Sequence, residues 1–312
     1  MTLSTLPVIS LSGNAADLPG QLGASFRRFG FAMVADHGID PELIARGWRL
    51  TEEFFTLPEA EKLRYFDAAK AGARGYTPFG REIAKGAAVS DLKEFWHVGR
   101  DLPPGDPLLA ASMPPNLWPE QPKGFAETFR ALFAEFDRVG ARLLSHIAVH
   151  LGLAADWFDM AVAEGNSVLR LLHYPPVPGE AGGAIRAGAH EDINLITLLL
   201  GAEEAGLELL TREGDWIAVN PPAGALVINI GDMLQRLTNH ELPSTTHRVR
   251  NPASERAGLS RYSMPFFLHP RSDFPLKTLP GCISPENPDR YPQLITADDY
   301  LQERLREIGL KE

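Results

Sequence analysis

Hydrophobic positions along the chain follow helical spacing first and β-like patterning later. Leu43, Ile44, Trp48, Leu50, Phe54 and Phe55 recur at helical intervals, and Thr56 with Glu59 resembles a capping box opening a further helix. The longest helical pattern runs from about Gly124 to Leu151. Its stripe of Phe125, Phe129, Leu132, Phe133, Phe136, Val139, Leu143, Leu144 and Ile147 reads as a core face, not a cofactor box. A Pro-rich stretch from Leu102 to Pro122 precedes it and reads as a wrapped loop, the best candidate for a boundary. From Ser167 to His269, short strand patterns alternate with Gly, Pro, Asn and Asp turns, as in an antiparallel sandwich or barrel. Leu195 to Leu200 is a continuous apolar run closed by Gly201, which predicts a buried strand. Thr245 to Val249 is alternating and rich in β-branched residues, and Ser260 to Phe267 reads as another strand. A final helix is predicted over Ala297 to Ile308, with Thr296 or Asp298 as its cap. No internal repeat is present, and the strands alone allow more than one sandwich topology.

Composition narrows the picture. With 312 residues and 44% hydrophobic positions the chain can bury a large core, in one domain or two. The longest apolar stretch, around Leu195 to Ala202, is far too short to span a bilayer. Met1 to Gly20 lacks a basic start and an apolar core, so no signal peptide is expected there. Cys282 is the single cysteine, which excludes an intramolecular disulfide and suits a reducing cytoplasm, the expected location. It has no sequence neighbour that would make it a nucleophile. The formal charge of −10 argues against a general nucleic-acid binder and leaves a small-molecule substrate as the expected partner. No membrane partner is expected, and the oligomeric state is not encoded in any pattern seen here.

Chemistry concentrates in His190-Glu191-Asp192, followed by His247 and by Arg261-Tyr262-Ser263. Alternate strand residues point the same way, so His190 and Asp192 share a direction at a strand end while Glu191 points away. Of nine histidines only His190 begins a His-x-Asp, and His247 lies on a predicted strand downstream. Two imidazoles and a carboxylate on one side of a divalent iron leave its opposite positions open. His240, in a turn, and His269, before Pro270, are competing third ligands with weaker strand context. Arg261 and Ser263 share a strand face by the same period of two, and an Arg beside a hydroxyl holds a carboxylate by a charge-assisted fork.

These segments together resemble the isopenicillin N synthase-like family of iron(II)/2-oxoglutarate-dependent oxygenases. The resemblance covers nearly the whole chain. Leu6 to Leu11 resembles the family's opening strand. Phe29-Gly30-Phe31 with Asp36-His37-Gly38-Ile39, and Phe54 to Pro58 with Glu61-Lys62, match its next segments. Gly75-Tyr76 and Lys93-Glu94-Phe95 follow in order, then Leu169-Arg170 with Tyr174-Pro175-Pro176, and Asn229 to Leu234 before the distal histidine.

The resemblance implies an α+β fold: a double-stranded β-helix, or jelly roll, braced by N-terminal and C-terminal helices. Residues 1–115 would form an N-terminal helical and strand region, and 116–312 the long helix, jelly-roll core and C-terminal helix, together one compact unit. It implies that His190, Asp192 and His247 bind Fe(II), and that Arg261, Ser263 and the Tyr174 phenol hold 2-oxoglutarate. Dioxygen would be the oxidant and ascorbate an auxiliary reductant. The product would be a hydroxylated, desaturated or cyclised small molecule, with succinate and carbon dioxide. Tyr76, Phe95, Arg186 and Phe267 are the candidate substrate contacts. The chain departs from the family at Glu191, where Thr or Ser is usual, at Leu172-His173-Tyr174, where Asn-Tyr-Tyr is common, and at His240, in place of a turn Gly. Three other readings stay open. One is a 2-oxoglutarate-independent oxidase in which Arg261 grips a substrate carboxylate. Another is an ethylene- and succinate-forming enzyme, although His173 and Ile193 differ from the arginine and tyrosine expected there. The third is a non-catalytic sensor of iron or a small acid.

Overall fold

The computed structural model describes residues 5–67, 72–81, 92–176, 186–201, 206–251 and 258–307. Ile308, the expected end of the last helix, lies outside them. In chain order come β1 (Val8–Ser10), α1 (Leu18–Phe29), β2 (Phe31–Ala35), α2 (Pro41–Phe55), α3 (Glu59–Leu63), β3 (Gly75–Thr77), β4 (Glu94–Gly99), α4 (Pro107–Ala111), α5 (Phe125–His150) and α6 (Asp159–Val162). The second half supplies β5 (Val168–Tyr174), β6 (Ala187–His190), β7 (Ile196–Leu200), β8 (Leu207–Leu210), β9 (Trp216–Ala218), β10 (Leu226–Ile230), α7 (Asp232–Leu237), β11 (His247–Val249), β12 (Arg261–Leu268) and α8 (Ala297–Glu307).

Local chemistry explains the helix boundaries. Asp40 caps α2 by accepting the Glu42 N–H at 2.9 Å, with Pro41 at the first helical position. Thr56 does not open α3 as the capping-box pattern predicts. It closes α2, its hydroxyl donating to the Glu53 carbonyl, and α3 begins after Pro58. At α8 the cap is Thr296, whose Oγ1 accepts the Asp299 N–H at 3.2 Å and donates to the Asp299 carboxylate. The Pro-rich loop before α5 contains the short helix α4, capped by Asp106.

Two sheets form the jelly roll. The larger has the order β1-β2-β10-β7-β12-β5-β4-β3, and the smaller β6-β11-β8-β9. Strands from both ends of the chain therefore build one sheet: Leu226 to Asn229 of β10 pair with Val34 to Phe31 of β2, and Glu94 to Gly99 of β4 pair with His173 to Val168 of β5. The sheet is buried on both faces. Its outer face packs on α2 and α5. There Phe266 stacks on Phe136 with centroids 5.5 Å apart and meets Phe133 edge-on, so the aromatic stripe is a core face as its spacing predicts. Each such fully buried ring contributes roughly 1.5–3 kcal/mol. The inner face meets the smaller sheet through Phe31, Met33, Val227, Leu207 and Leu209, and the site opens in the gap between the two.

Gly30 and Gly231 keep the entrance to that gap in shape. Gly30 ends α1 in the left-handed region at φ 66°, and a Cβ there would strike the Thr245 side chain and the Pro243 carbonyl. Gly231 lies against Asn194, where a Cβ would fall 2.2 Å from the Asn194 carbonyl oxygen. That closeness lets the Gly231 and Asp232 N–H groups donate to Leu195 and Asp192 and pins the loop that carries Asp192.

Candidate metal and 2-oxoglutarate site

His190, the last residue of β6, pairs across the ladder with His247, the first of β11. Asp192 follows two residues after His190, in the loop that turns into β7. One donor atom from each of the three lies within 4.8 Å of the others, and among the described residues this is the group fit to hold a metal ion. His190 Nε2 is 3.7 Å and His247 Nε2 is 3.8 Å from the Asp192 carboxylate. Small side-chain adjustments close such gaps on a single ion. His240 binds the Tyr291 hydroxyl instead, and His269 Nδ1 donates to the Phe267 carbonyl, so neither joins the cluster.

The surroundings prepare all three donors. His190 Nδ1 faces the Gly188 carbonyl at 2.7 Å and His247 Nδ1 the Thr245 carbonyl at 3.1 Å. A carbonyl can only accept, so each Nδ1 carries a proton, and in the neutral ring this leaves the lone pair on Nε2. Asp192 Oδ2 accepts from Thr197 Oγ1 at 2.6 Å and from Asn229 Nδ2 at 2.8 Å, bonds that hold the carboxylate plane. Burial pushes its pKa up, but the two imidazoles and these two donors outweigh burial, so the net shift is downward and Asp192 stays ionised. His190 is pushed down, first by burial in the crowded site and then by His247, to about 4, and is neutral at ordinary pH. Two imidazoles presenting Nε2 and a carboxylate are the donor set iron(II) accepts.

Arg261 and Tyr174 are direct cross-strand partners on β12 and β5, and Ser263 faces Leu172 one step along. The Arg261 guanidinium lies 5.1 Å from the Tyr174 ring centroid. Arg261 is only 3% exposed, yet its Nε and Nη1 have no hydrogen-bond partner among the described residues. Orphaned donors on a buried cation are costly, and a carboxylate entering the site would satisfy them. Arg261, Ser263, Tyr174, His190, Asp192 and His247 all line one cavity between the sheets.

Of the residues expected to touch substrate, Phe267 lines this cavity. Tyr76 lies on the opposite face of the sheet, its hydroxyl donating to Glu94. Phe95 packs against Leu172 and Tyr174 on the same face of the sheet but does not line the cavity. Arg186 is fully buried, with Nη2 donating to the Leu259 carbonyl at 3.1 Å. Glu191 points out of the cavity, as its place in the period of two requires, and accepts from the Thr246 hydroxyl. Leu172, where the family resemblance leads one to expect Asn, lines the wall and has no side-chain hydrogen bond to offer. His173 faces away: Nδ1 meets Glu94 at 2.7 Å and Nε2 meets Ser260 Oγ at 2.9 Å. Glu94 also takes Lys62 Nζ at 2.7 Å, making a buried charged cluster behind the strands that carry Tyr174 and Arg261. His240 takes the left-handed conformation of the usual turn Gly, at φ 66°. Burial pushes the Cys282 thiol up to about 12, consistent with an inert thiol.

Sequence reading missed four polar cavity residues. Lys93 and Arg170 line it, as do Thr197 and Asn229, the two donors to Asp192. Their signal was the strand alternation that puts Arg170 on the same face as Tyr174, and Lys93 on the same face as Phe95.

Comparison with known proteins agrees with this geometry. Residues 6–121 match the N-terminal family described as non-haem dioxygenase in morphine synthesis, and residues 165–270 match the 2OG-Fe(II) oxygenase superfamily. A 2OG-Fe(II) oxygenase family protein from Caulobacter crescentus is 54% identical, with a TM-score of 0.91 over 98% of this chain and 100% of that one. A Neurospora crassa protein solved in complex with alpha-KG, which is 2-oxoglutarate, and thymine is 30% identical, with a TM-score of 0.85 over 96% of each chain. A proline hydroxylase of Petromyces alliaceus is 34% identical over 91% of this chain and 91% of its own. No helix among the described residues is long and apolar enough to cross a membrane. The chain therefore belongs to the 2-oxoglutarate/Fe(II) oxygenase superfamily, enzymes that use iron(II), 2-oxoglutarate and dioxygen.

Proposed function

We propose that His190, Asp192 and His247 hold the iron, that Arg261, Ser263 and Tyr174 hold the far carboxylate of 2-oxoglutarate, and that the chain oxidises a C–H bond of a small molecule. When bound, iron with 2-oxoglutarate and dioxygen supplies the oxidising power: one oxygen atom enters the product as hydroxyl, the other enters succinate, and carbon dioxide leaves. The protein's part is to bind, orient and exclude water. Thr197 and Asn229 hold Asp192 Oδ2 and so fix the direction of the carboxylate. The Gly188 and Thr245 carbonyls keep both Nε2 atoms unprotonated. Arg261, set on a different strand from the triad, selects a diacid by its length. Phe31, Leu199, Leu207 and Val249 make the rest of the wall apolar, which keeps water from the reacting centre.

The observation that carries this reading is the buried Arg261 with two unsatisfied N–H groups in the same cavity as the triad. It favours a small acid bound beside the iron and so supports 2-oxoglutarate over a sensor of iron alone. The relative solved with alpha-KG supports the same choice over a co-substrate-free oxidase. The relatives' thymine and proline differ in charge and shape, so kinship leaves the substrate open. The test is dioxygen uptake by iron-loaded protein with and without 2-oxoglutarate. Uptake that needs 2-oxoglutarate and yields succinate supports the proposal, and uptake unaffected by its omission transfers the chain to the oxidase class.

A further inference from the structure

Arg261 and Tyr174 sit where a ladder ends. Tyr174 is the last residue of β5 and Arg261 the first of β12, and they face each other as the terminal pair of the β5–β12 ladder. Terminal pairs fray, because no backbone pairing continues beyond them. An arginine that selects a diacid by its length nevertheless has to stand at a fixed distance from the metal. Some contact beyond the last pair has to hold this end closed.

The reverse side of the same strands supplies that contact. His173 precedes Tyr174 and points to the opposite face, with Tyr262 of β12 and Glu94 of β4 as its cross-strand partners. Its ring stacks on Tyr262, with centroids 4.8 Å apart and planes 14° from parallel, and Phe55 of α2 lies 5.3 Å away. Nδ1 donates to the Glu94 carboxylate at 2.7 Å, and Nε2 meets Ser260 Oγ at 2.9 Å. Ser260 lies one residue beyond the last ladder pair. A serine hydroxyl can either donate to Nε2 or accept from it, so this bond holds in both charge states of the ring.

The other end of the bridge is fixed. Glu94, the first residue of β4, also accepts from Lys62 Nζ at 2.7 Å and from the Tyr76 hydroxyl. Lys62 Nζ donates in turn to the Phe55 carbonyl at 3.2 Å. Lys62, Glu94 and His173 are all buried, where hydrogen bonds to a charged group are strong. The run Glu94–His173–Ser260 therefore crosses the ends of three strands at the level of Arg261. An imidazole suits this task because its two nitrogens bond in different directions, whereas the tyrosine common at this place in the family has a single oxygen. Glu94, His173 and Ser260 do not line the cavity, so they act on a ligand only through the strands that carry Arg261 and Tyr174.

We propose that His173 is a positioning residue for 2-oxoglutarate, clasping Ser260 to Glu94 so that Arg261 and Tyr174 are already set when the co-substrate arrives. The inference rests on the function proposed above. Without the clasp, 2-oxoglutarate has to close the ladder end as it binds, and its apparent affinity falls with the fraction of molecules already closed. Loss of one neutral hydrogen bond corresponds to about a 2- to 10-fold weakening.

The test compares the full chain with Ser260→Ala and His173→Phe. Ser260→Ala removes the clasp and leaves the Glu94–His173 pair intact. His173→Phe keeps a ring on Tyr262 and leaves Glu94 its Lys62 and Tyr76 donors. If His173→Phe does not fold, Ser260→Ala carries the test, since its change is confined to one half-buried hydroxyl. Amide hydrogen exchange of ligand-free protein is followed over residues 258–263. Affinity for 2-oxoglutarate is titrated anaerobically through its absorption band with iron(II), and iron affinity is measured by equilibrium dialysis. Ser260→Ala should exchange faster over that segment, bind 2-oxoglutarate about 2- to 10-fold more weakly and bind iron like the parent. Exchange or 2-oxoglutarate affinity equal to the parent's overturns the proposal. So does a lower melting temperature with unchanged 2-oxoglutarate affinity, the mark of a merely structural role, or an equal loss of iron affinity. If the parent itself forms no band, the assignment of Arg261 and its neighbours to 2-oxoglutarate fails. If the parent forms the band and Ser260→Ala matches it, only the clasp falls.

Discussion

Replacing Arg261 with Met separates what this side chain costs the fold from what it gives the ligand. In the free protein Arg261 is buried with Nε and Nη1 unsatisfied. Each such donor costs about 1–3 kcal/mol. Against that cost stands its contact with the Tyr174 ring at 5.1 Å, of a kind that contributes about 0.5–2 kcal/mol. A Met of similar reach removes both, so the melting temperature of ligand-free Arg261→Met should stay level or rise. With 2-oxoglutarate the order reverses. At a hundredfold excess over Kd the ligand stabilises the parent by about 2.7 kcal/mol, a rise of roughly 5 °C for a chain of this size. Truncating a buried carboxylate–arginine pair costs about 2–5 kcal/mol, so the variant's stabilisation should fall below about 1 kcal/mol and its shift to about 2 °C or less. Arg261→Lys keeps the charge but loses the planar fork and should fall between the two. The assay is thermal denaturation under anaerobic iron, with and without 2-oxoglutarate. A variant that loses several kcal/mol when ligand-free yet keeps the parent's ligand shift refutes this reasoning and makes Arg261 a structural cation.

Two further outcomes follow from the surrounding bonds. Asn229→Ala removes one of the two donors that orient Asp192 Oδ2, and iron affinity measured by equilibrium dialysis should fall about 10- to 100-fold with the fold retained; undiminished affinity means that Thr197 alone holds the carboxylate. Glu94→Gln leaves Lys62 buried beside a neutral partner and should cost about 3–5 kcal/mol in urea denaturation, and a cost below about 1 kcal/mol contradicts the cluster's structural role. Burial raises the Glu94 pKa, but hydrogen bonds from His173, Lys62 and Tyr76 outweigh burial, and the folded value lies below the ordinary 4.5. A depressed carboxylate stabilises above its unfolded pKa, so this contribution is complete above about pH 4.5 and is lost as pH falls through the folded value. The parent's stability should decline across that acid range, and Glu94→Gln should lack that component.

What the sequence revealed follows from the period of two. His190, Asp192, Arg261 and Ser263 were legible because each pair lies two residues apart, the first from the end of β6 into its loop and the second on one face of β12, and the structure brings all four into one cavity. The cross-strand partners were not legible, because pairing depends on register set far along the chain. That is why Tyr76 looked like a substrate contact. Its strand neighbour Thr77 pairs with Phe95, which places Tyr76 level with Trp96 and on the helix side of the sheet, among Phe54 and Glu94. It is also why Arg170 was passed over, although it lies within a segment already matched. Its place between Phe95 and Phe267, on the strands either side, is a fact of assembly and not of spacing. The Thr56 capping pattern failed for a local reason: Pro58 terminates the preceding geometry, so the hydroxyl bonds backward to Glu53.

On the proposed function, the triad and Arg261 together make 2-oxoglutarate the co-reductant for dioxygen. Parallel measurement of dioxygen consumed and succinate formed, in the parent and in His247→Ala, tests it most directly. The account predicts one succinate for each dioxygen in the parent, and neither iron binding nor succinate in a folded His247→Ala. Dioxygen uptake without succinate, or a His247→Ala protein that keeps full iron and full turnover, would contradict it.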